Sequence, residues 1–360
     1  ALARAQRAQT ARLLLETSAL PVAEVAFAAG FASVRQFNDT LRDVFATTPT
    51  ALRRRGPAVA TPGRIVVRLP FRAPLWPDSL FGHLAATAVP GVEEWHDGSY
   101  RRTLRLPRGT GVVALTPQPE HVRCRLQLSD LRDLPAALAR CRRLLDLDAD
   151  PAAVDALLGE DPVLAPLVRK APGRRVPRTV DEPELALRAV LGQQVSTAAA
   201  RTHGARLVAA VGDRVDDPDG GLISLFPTPA QVADVDPAVL ALPRARRETV
   251  LRLAAALADG AVDLSPGADR AAARAELSAL PGIGPWTVET VALRALGDPD
   301  AFLPTDLGVV GAARRLGLPL GAGLVAHAER WRPWRAYAVQ HLWGSGDHAV
   351  NALPPDPRRA

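Results

Sequence analysis

Residues 280–289 read LPGIGPWTVE. Two glycines and two prolines fall within five residues, and a helix-like run then opens with a tryptophan. The preceding helical run ends near Leu280. Gly282 and Gly284 allow backbone angles that other residues avoid. Pro285 and Trp286 open the next helix, where proline is tolerated in the first turn. The pattern predicts two helices joined by a tight hairpin whose backbone amides point outward. Such amides at a helix N-terminus suit a phosphate oxygen, and the absence of side chains lets a nucleic-acid backbone approach. An ordinary turn between two helices would read the same way, so the hairpin alone decides nothing.

A second stretch adds weight. DAFLPTDLGVVGAARRLG, residues 300–317, predicts a helix that begins at Pro304–Asp306 with Asp306 in its first turn. The helix dipole favours a carboxylate there. A plain N-cap would look identical.

Around these stretches the chain divides into three. In residues 1–56 two short apolar-periodic runs, Val22–Ala29 and Val34–Phe45, are joined through Gly30 and Phe31, as in a helix-turn-helix. Residues 57–63 read as a linker. Residues 64–148 carry β-branched runs ending at prolines (RIVVRLP, YRRTLRLP, TGVVALTP), the alternating run HVRCRLQLS, and a helical DSLFGHLAATAV, so an α+β domain with a sheet is expected. Residues 149–353 are helical in period throughout. The fold class is therefore multidomain and mainly α, with one α+β domain.

Composition narrows the chemistry. No run of 18 or more apolar residues exists, so no transmembrane helix is expected. The first residues, ALARAQRAQTARLLLE, have no signal-peptide core. They start without methionine inside a helical run, so an upstream portion is expected to be missing. Two cysteines, Cys124 and Cys141, cannot furnish a four-ligand zinc or iron–sulfur site, and suit a reducing cytoplasm. The formal charge is +6, and Lys170 is the sole lysine. That balance suits nucleic acid but is weak alone.

Five stretches together resemble a known family: LFGHLAATAV, RAVLGQQVSTAAA, LPGIGPWTVETVALRALG, FLPTDLGV and ERWRPWRAYAVQHLW. They are similar to the helix-hairpin-helix (HhH-GPD) DNA glycosylases of the AlkA type, from about residue 64 onward. GFASVRQFNDTLRDVF with TPTALRR resembles the second helix-turn-helix of AraC-type regulators, as in an Ada-like regulator fused to a glycosylase. The resemblance implies an AlkA N-terminal-like antiparallel sheet with helices, then an all-α glycosylase domain. It implies hydrolysis of the N-glycosidic bond of alkylated purines such as 3-methyladenine and 7-methylguanine, by base flipping, with no lyase step.

Residue by residue, the resemblance makes Asp306 catalytic and Trp286 and Trp343 the walls of the base pocket. An alkylated purine already carries positive charge, so one carboxylate beside the developing oxocarbenium ion suffices, whereas ordinary glycosidases need two. Trp286 stands where lyase-competent relatives carry a nucleophilic lysine. His83, Thr290 and Leu307 match pocket positions at which close relatives carry aromatic residues, so the range of lesions is open. His83 also fits a core histidine. Gln193 and Gln194 fall on the loop that fills the gap left by a flipped base, with Gln194 at the wedge position, though ordinary helix residues would read alike. Gly282, Ile283, Gly284 and Thr287 would contact DNA. In the helix-turn-helix, Arg35 and Asn38 would reach DNA beside Val34 and Asp39, with Phe37 and Leu41 in the core. Trp331 and Trp334 fit the core. No cofactor is expected. The family suggests a Na+ or K+ ion on hairpin carbonyls near Leu280 and Ile283, and no metal held by side chains. Expected partners are damaged double-stranded DNA and operator DNA, with no membrane, for a monomer at the cytoplasmic nucleoid. The competing reading is a transcription regulator whose glycosylase fold only senses damage.

Overall fold

The computed structural model describes residues 2–18, 20–45, 47–53 and 65–354. The expected linker 57–63 lies outside them. Along the chain come α1 (Leu2–Thr17), α2 (Val22–Ala28), α3 (Val34–Phe45), α4 (Pro49–Arg53), β1 (Ile65–Pro70), α5 (Pro77–Ala86), β2 (Glu93–His96), β3 (Ser99–Arg105), β4 (Thr110–Pro117), β5 (His121–Leu128) and α6 (Leu134–Leu144). There follow α7 (Pro151–Leu158), α8 (Ala165–Lys170), α9 (Glu182–Leu191), α10 (Thr197–Val211), α11 (Pro229–Ala233), α12 (Arg244–Ala258), α13 (Arg270–Ala279), α14 (Pro285–Arg294), α15 (Leu307–Arg315), α16 (Ala322–His327) and α17 (Arg335–Trp343).

Packing gathers the chain into two units, residues 1–71 with 96–142 and residues 72–95 with 143–360. In the first, α2 and α3 are the helix-turn-helix. Gly30, at φ +83°, makes the turn that a side chain would strain. Ser33 caps α3, its Oγ accepting from the Gln36 amide at 3.2 Å. Phe31 and Phe37 meet edge to face, centroids 5.4 Å apart, and Leu41 is buried beneath the same face. The sheet has the order β1-β5-β4-β3-β2. Its registered ladders are antiparallel, with Val67 opposite Cys124 and Cys124 opposite Leu115. Alternate residues of β1 and β5 point into the core, which follows from the two-residue period of a strand. Cys124 and Cys141 are free, buried thiols. An isolated bridge from Ser18 to Val67 joins the end of α1 to this sheet.

The second unit is helical and has two apolar cores. One gathers α9, α12, α13 and α14 around Leu187, Leu253, Leu277 and Val291. The other gathers α7, α15 and α17 around Leu158, Val309, Trp331 and Val339. α14 carries residues of both cores, with Val288 and Val291 on one face and Ala292 and Leu293 on another, so the helix that follows the hairpin is fixed from two sides. α5 belongs to this unit. Its Gly82 faces the backbone of Ala352 so closely that a Cβ would lie 2.3 Å from that carbonyl oxygen. Among the described residues no helix is long and apolar enough to cross a membrane.

Candidate active site

The hairpin forms where the sequence places it. α13 ends at Ala279 and α14 starts at Pro285. Gly282 sits at φ +89°, and a Cβ there would lie 2.0 Å from Thr249 Oγ1. That hydroxyl lies 3.0 Å from the Ala245 carbonyl of its own helix and 3.3 Å from the Pro281 carbonyl, so α12 braces the turn from below. Ile283 turns inward and is buried, while nothing lies within 4 Å of the Cβ that Gly284 lacks. One face of the turn is thus locked and the other open.

Gln193 makes a second brace. Its amide donates to Thr287 Oγ1 at 2.9 Å and to the Gly282 carbonyl at 3.3 Å. Gln194, its neighbour on the loop between α9 and α10, is exposed and holds a left-handed backbone at φ +54°. For a residue other than glycine that conformation is uncommon.

Across from the hairpin, α15 starts at Leu307 and Asp306 is its N-cap, with extended backbone and Oδ1 accepting from the Val309 amide at 3.0 Å. The expected start at Pro304–Asp306 is therefore too early. The chain is still extended at residue 306, because capping needs a non-helical residue. Trp286 and Trp343 converge on this carboxylate. Trp286 Nε1 donates to Oδ2 at 2.9 Å, and Trp343 Nε1 donates to Oδ1 at 2.7 Å. A carboxylate offers about four acceptor positions. Three N–H groups fill three, and the position left over is on Oδ2. Gly308 permits the arrangement, since a Cβ there would lie 2.8 Å from Trp343 Cδ1 and 3.0 Å from its Nε1. Asp306, Trp286 and Trp343 are all half-buried.

The residue matches extend well beyond these motifs. The AlkA N-terminal domain family matches residues 66–181, and a helix-turn-helix domain family matches residues 1–55. The chain is 37% identical over 270 residues to DNA-3-methyladenine glycosylase 2 of Escherichia coli, covering 73% of this chain and 92% of that one. It is 58% identical over 366 residues to a probable bifunctional transcriptional activator/DNA repair enzyme AlkA of Mycobacterium tuberculosis, covering 100% of this chain and 74% of that one. The chain belongs to the AlkA family of DNA glycosylases. It is a DNA repair glycosylase joined to an AraC-type helix-turn-helix. The AlkA-type fold is also that of a 3-methyladenine DNA glycosylase from Archaeoglobus fulgidus, with TM-score 0.66 at 21% identity over 77% of this chain and 97% of that one.

The other AlkA-type positions divide. Thr290 is half-buried one turn beyond Trp286, and its Oγ1 donates to the Trp286 carbonyl at 2.7 Å. Leu307 stands 88% exposed at the start of α15, so its side chain lines no enclosed wall. His83 is half-buried with Nε2 enclosed and without a partner. Desolvation, then the charges of Arg294, Arg188 and His348, hold its pKa well below the usual histidine value, so it is neutral. Among the described residues no hydrogen bond or ring contact ties His83 to Asp306 or to either tryptophan. Lys170 is exposed in the last turn of α8. Arg35 is exposed and Asn38 half-buried on α3.

Three features escape the sequence reading. Thr249 carried no motif. Gln193 is expected on the loop, but its bond to Thr287 has no sequence signature. Trp331, expected in the core, is buried there and also donates to Asp161 at 2.8 Å, beside His327 Nε2 at 2.8 Å from the same oxygen. A buried aspartate in the turn before α8 is the one signal that could have suggested that pairing.

Proposed function

We propose that this chain hydrolyses the N-glycosidic bond of alkylated purines that have been flipped out of duplex DNA, and that it leaves an abasic site without cutting the strand. The observation that carries the reading is the convergence of two indole N–H groups on Asp306. The pyrrole edges are spent on the carboxylate, which leaves the ring faces for an extruded base. A cationic base over an indole face is attracted by about 0.5–2 kcal/mol. Extruding it first is the general requirement for chemistry on a paired base.

The bonds balance simply. The C1′–N bond breaks, and its electron pair goes to the base and cancels the base's positive charge. The sugar becomes an oxocarbenium ion, water adds at C1′, and a proton leaves to solvent. A carboxylate about 4 Å from that cation, at an effective dielectric near 20, stabilises it by about 4 kcal/mol. This corresponds to roughly a thousandfold in rate. The acceptor position left on Oδ2 would orient the water. A Schiff-base step would need an amine where Trp286 stands, and the only lysine is on α8.

The hairpin amides, the open side of Gly284 and the braced loop of Gln193 and Gln194 suit a phosphate backbone and a filler for the vacated stack. An alkali ion, if bound, would take its ligands from the carbonyls of Leu280 and Ile283 and add positive charge facing a phosphate. α3 would enter a major groove of operator DNA with Arg35 leading. We place the chain in the cytoplasm, working as a monomer on the nucleoid.

The test is incubation with methylated duplex DNA. Free 3-methyladenine and 7-methylguanine should be released, with strand breaks appearing only after alkali. Nicked product before alkali, or a borohydride-trapped adduct, would refute the hydrolytic reading.

A further inference from the structure

We propose that Asn351 is a positioning residue for base release: its side chain fixes the end of α17 and so holds the Trp343 indole on Asp306. The inference rests on the reading of the chain as a DNA glycosylase and gives a role to a segment which that reading leaves unused.

The contact is direct. Asn351 Nδ2 donates to the Trp343 carbonyl and to the Gly346 carbonyl, at 2.9 Å each. Trp343 is the last residue of α17, and the closing carbonyls of a helix have no partner within it. Among backbone groups of the described residues only the Gly346 amide reaches the Trp343 carbonyl, at 3.4 Å. Asn351 therefore closes the helix from eight residues downstream. An asparagine amide carries two N–H donors on one nitrogen, one for each carbonyl, whereas an aspartate of the same shape carries none.

Asn351 is itself held. It ends a single 3-10 turn, Ala349–Asn351, and His348 before that turn accepts from the Val350 amide through Nδ1 at 3.2 Å. The backbone of the next residue, Ala352, lies against Gly82 of α5, where a Cβ would have no room. α5 is anchored in turn by Leu80 and Phe81, both fully buried. The segment that carries Asn351 is thus pinned to a helix distant in sequence.

On its other side Trp343 meets Gly308, and the indole occupies the space that a Cβ there would fill. The ring stands between α15 and a backbone clamped from behind. Its single N–H makes one bond, 2.7 Å to Asp306 Oδ1. Without Asn351 the last turn of α17 would fray, as helix ends do. A shift of about 0.5 Å at the indole would carry that bond from 2.7 Å to the edge of good N–H···O geometry.

The test uses the full chain labelled with 15N-tryptophan. Six tryptophans give six indole N–H signals, and Trp343→Phe identifies the one that donates to Asp306. Donation to a carboxylate places that signal downfield. Asn351→Ala should move it upfield and slow single-turnover release of 7-methylguanine about 3- to 10-fold, the equivalent of one ordinary hydrogen bond. Affinity for a duplex that bears a tetrahydrofuran abasic analogue, followed by anisotropy, should stay within about threefold, because phosphate contacts set it. Asn351→Asp, which turns acceptors toward two carbonyls, should be worse in both signal and rate. Asp236→Ala removes a side-chain bond to the Ala238 amide in an exposed loop of the same unit, and should change neither readout at a comparable loss of melting temperature. An unmoved Trp343 signal in both Asn351 variants, a moved signal with an unchanged rate, or an equal loss of rate in Asp236→Ala overturns the positioning role. A signal that moves as expected in a chain whose wild type releases no base would leave the clamp on Trp343 standing and remove the glycosylase reading instead.

Discussion

Gly308→Ala is the sharpest perturbation of the site, because it pushes one indole off Asp306 while leaving both side chains in place. The new Cβ would lie 2.8 Å from Trp343 Cδ1, whereas ordinary contact begins at 3.4 Å. The indole must retreat by about 0.6 Å, which stretches its 2.7 Å bond to Asp306 to about 3.3 Å, beyond normal N–H···O geometry. A hydrogen bond to a charged group contributes about 1.5–3 kcal/mol. Its loss should slow base release roughly 10- to 150-fold. The lost bond and the displaced indole should also destabilise the fold by about 1–3 kcal/mol, so the melting temperature should fall modestly. The assay is single-turnover release of 7-methylguanine at saturating enzyme, run beside a thermal melt. A rate within twofold of wild type would refute the view that the Trp343 bond to Asp306 matters. A slow variant with a collapsed melting temperature would show a packing defect rather than a misplaced indole.

Three further outcomes follow from the same geometry. Gly282→Ala should lower stability by more than about 1 kcal/mol in denaturant titrations and abolish tight DNA binding, because it requires a left-handed alanine pressed on Thr249. Gln193→Ala, which removes the bonds to Thr287 and Gly282, should weaken binding of the abasic analogue by about 1 kcal/mol while changing global stability less. His341, buried on α17 with both ring nitrogens unpartnered, has its pKa lowered to about 3 by desolvation and by Arg174. The unfolded chain therefore takes up a proton near pH 6.5 that the folded chain refuses until about pH 3. Its contribution is complete above pH 6.5 and is lost as pH falls, by about 2 kcal/mol at pH 5. Urea titrations at pH 7.5 and pH 5 should show that loss in wild type and a smaller one in His341→Gln.

The fold was legible because its decisive features are local. Gly30 between two periodic runs, prolines closing short β-branched stretches, and the glycines of the hairpin each impose a backbone geometry that residue type alone dictates. Asp306, Trp286 and Trp343 could be named from motifs, and the structure brings them to one point. How they meet could not be read. A sequence gives no sign whether an indole offers a neighbour its edge or its face, and here both edges go to the carboxylate. Thr249 and Gly308 matter through the space they fill or leave empty, which depends on helices far apart in the chain. Leu307 illustrates the reverse. Its position next to Asp306 fits a pocket wall, yet at the first helical residue of α15 its side chain stands in solvent.

Asp306→Asn tests the central claim most directly. Asparagine keeps the size and the capping oxygen but removes the charge proposed to face the sugar. Release of 7-methylguanine under single-turnover conditions should fall by roughly a thousandfold, while affinity for the abasic analogue stays within a few fold. Release at the wild-type rate would contradict the account.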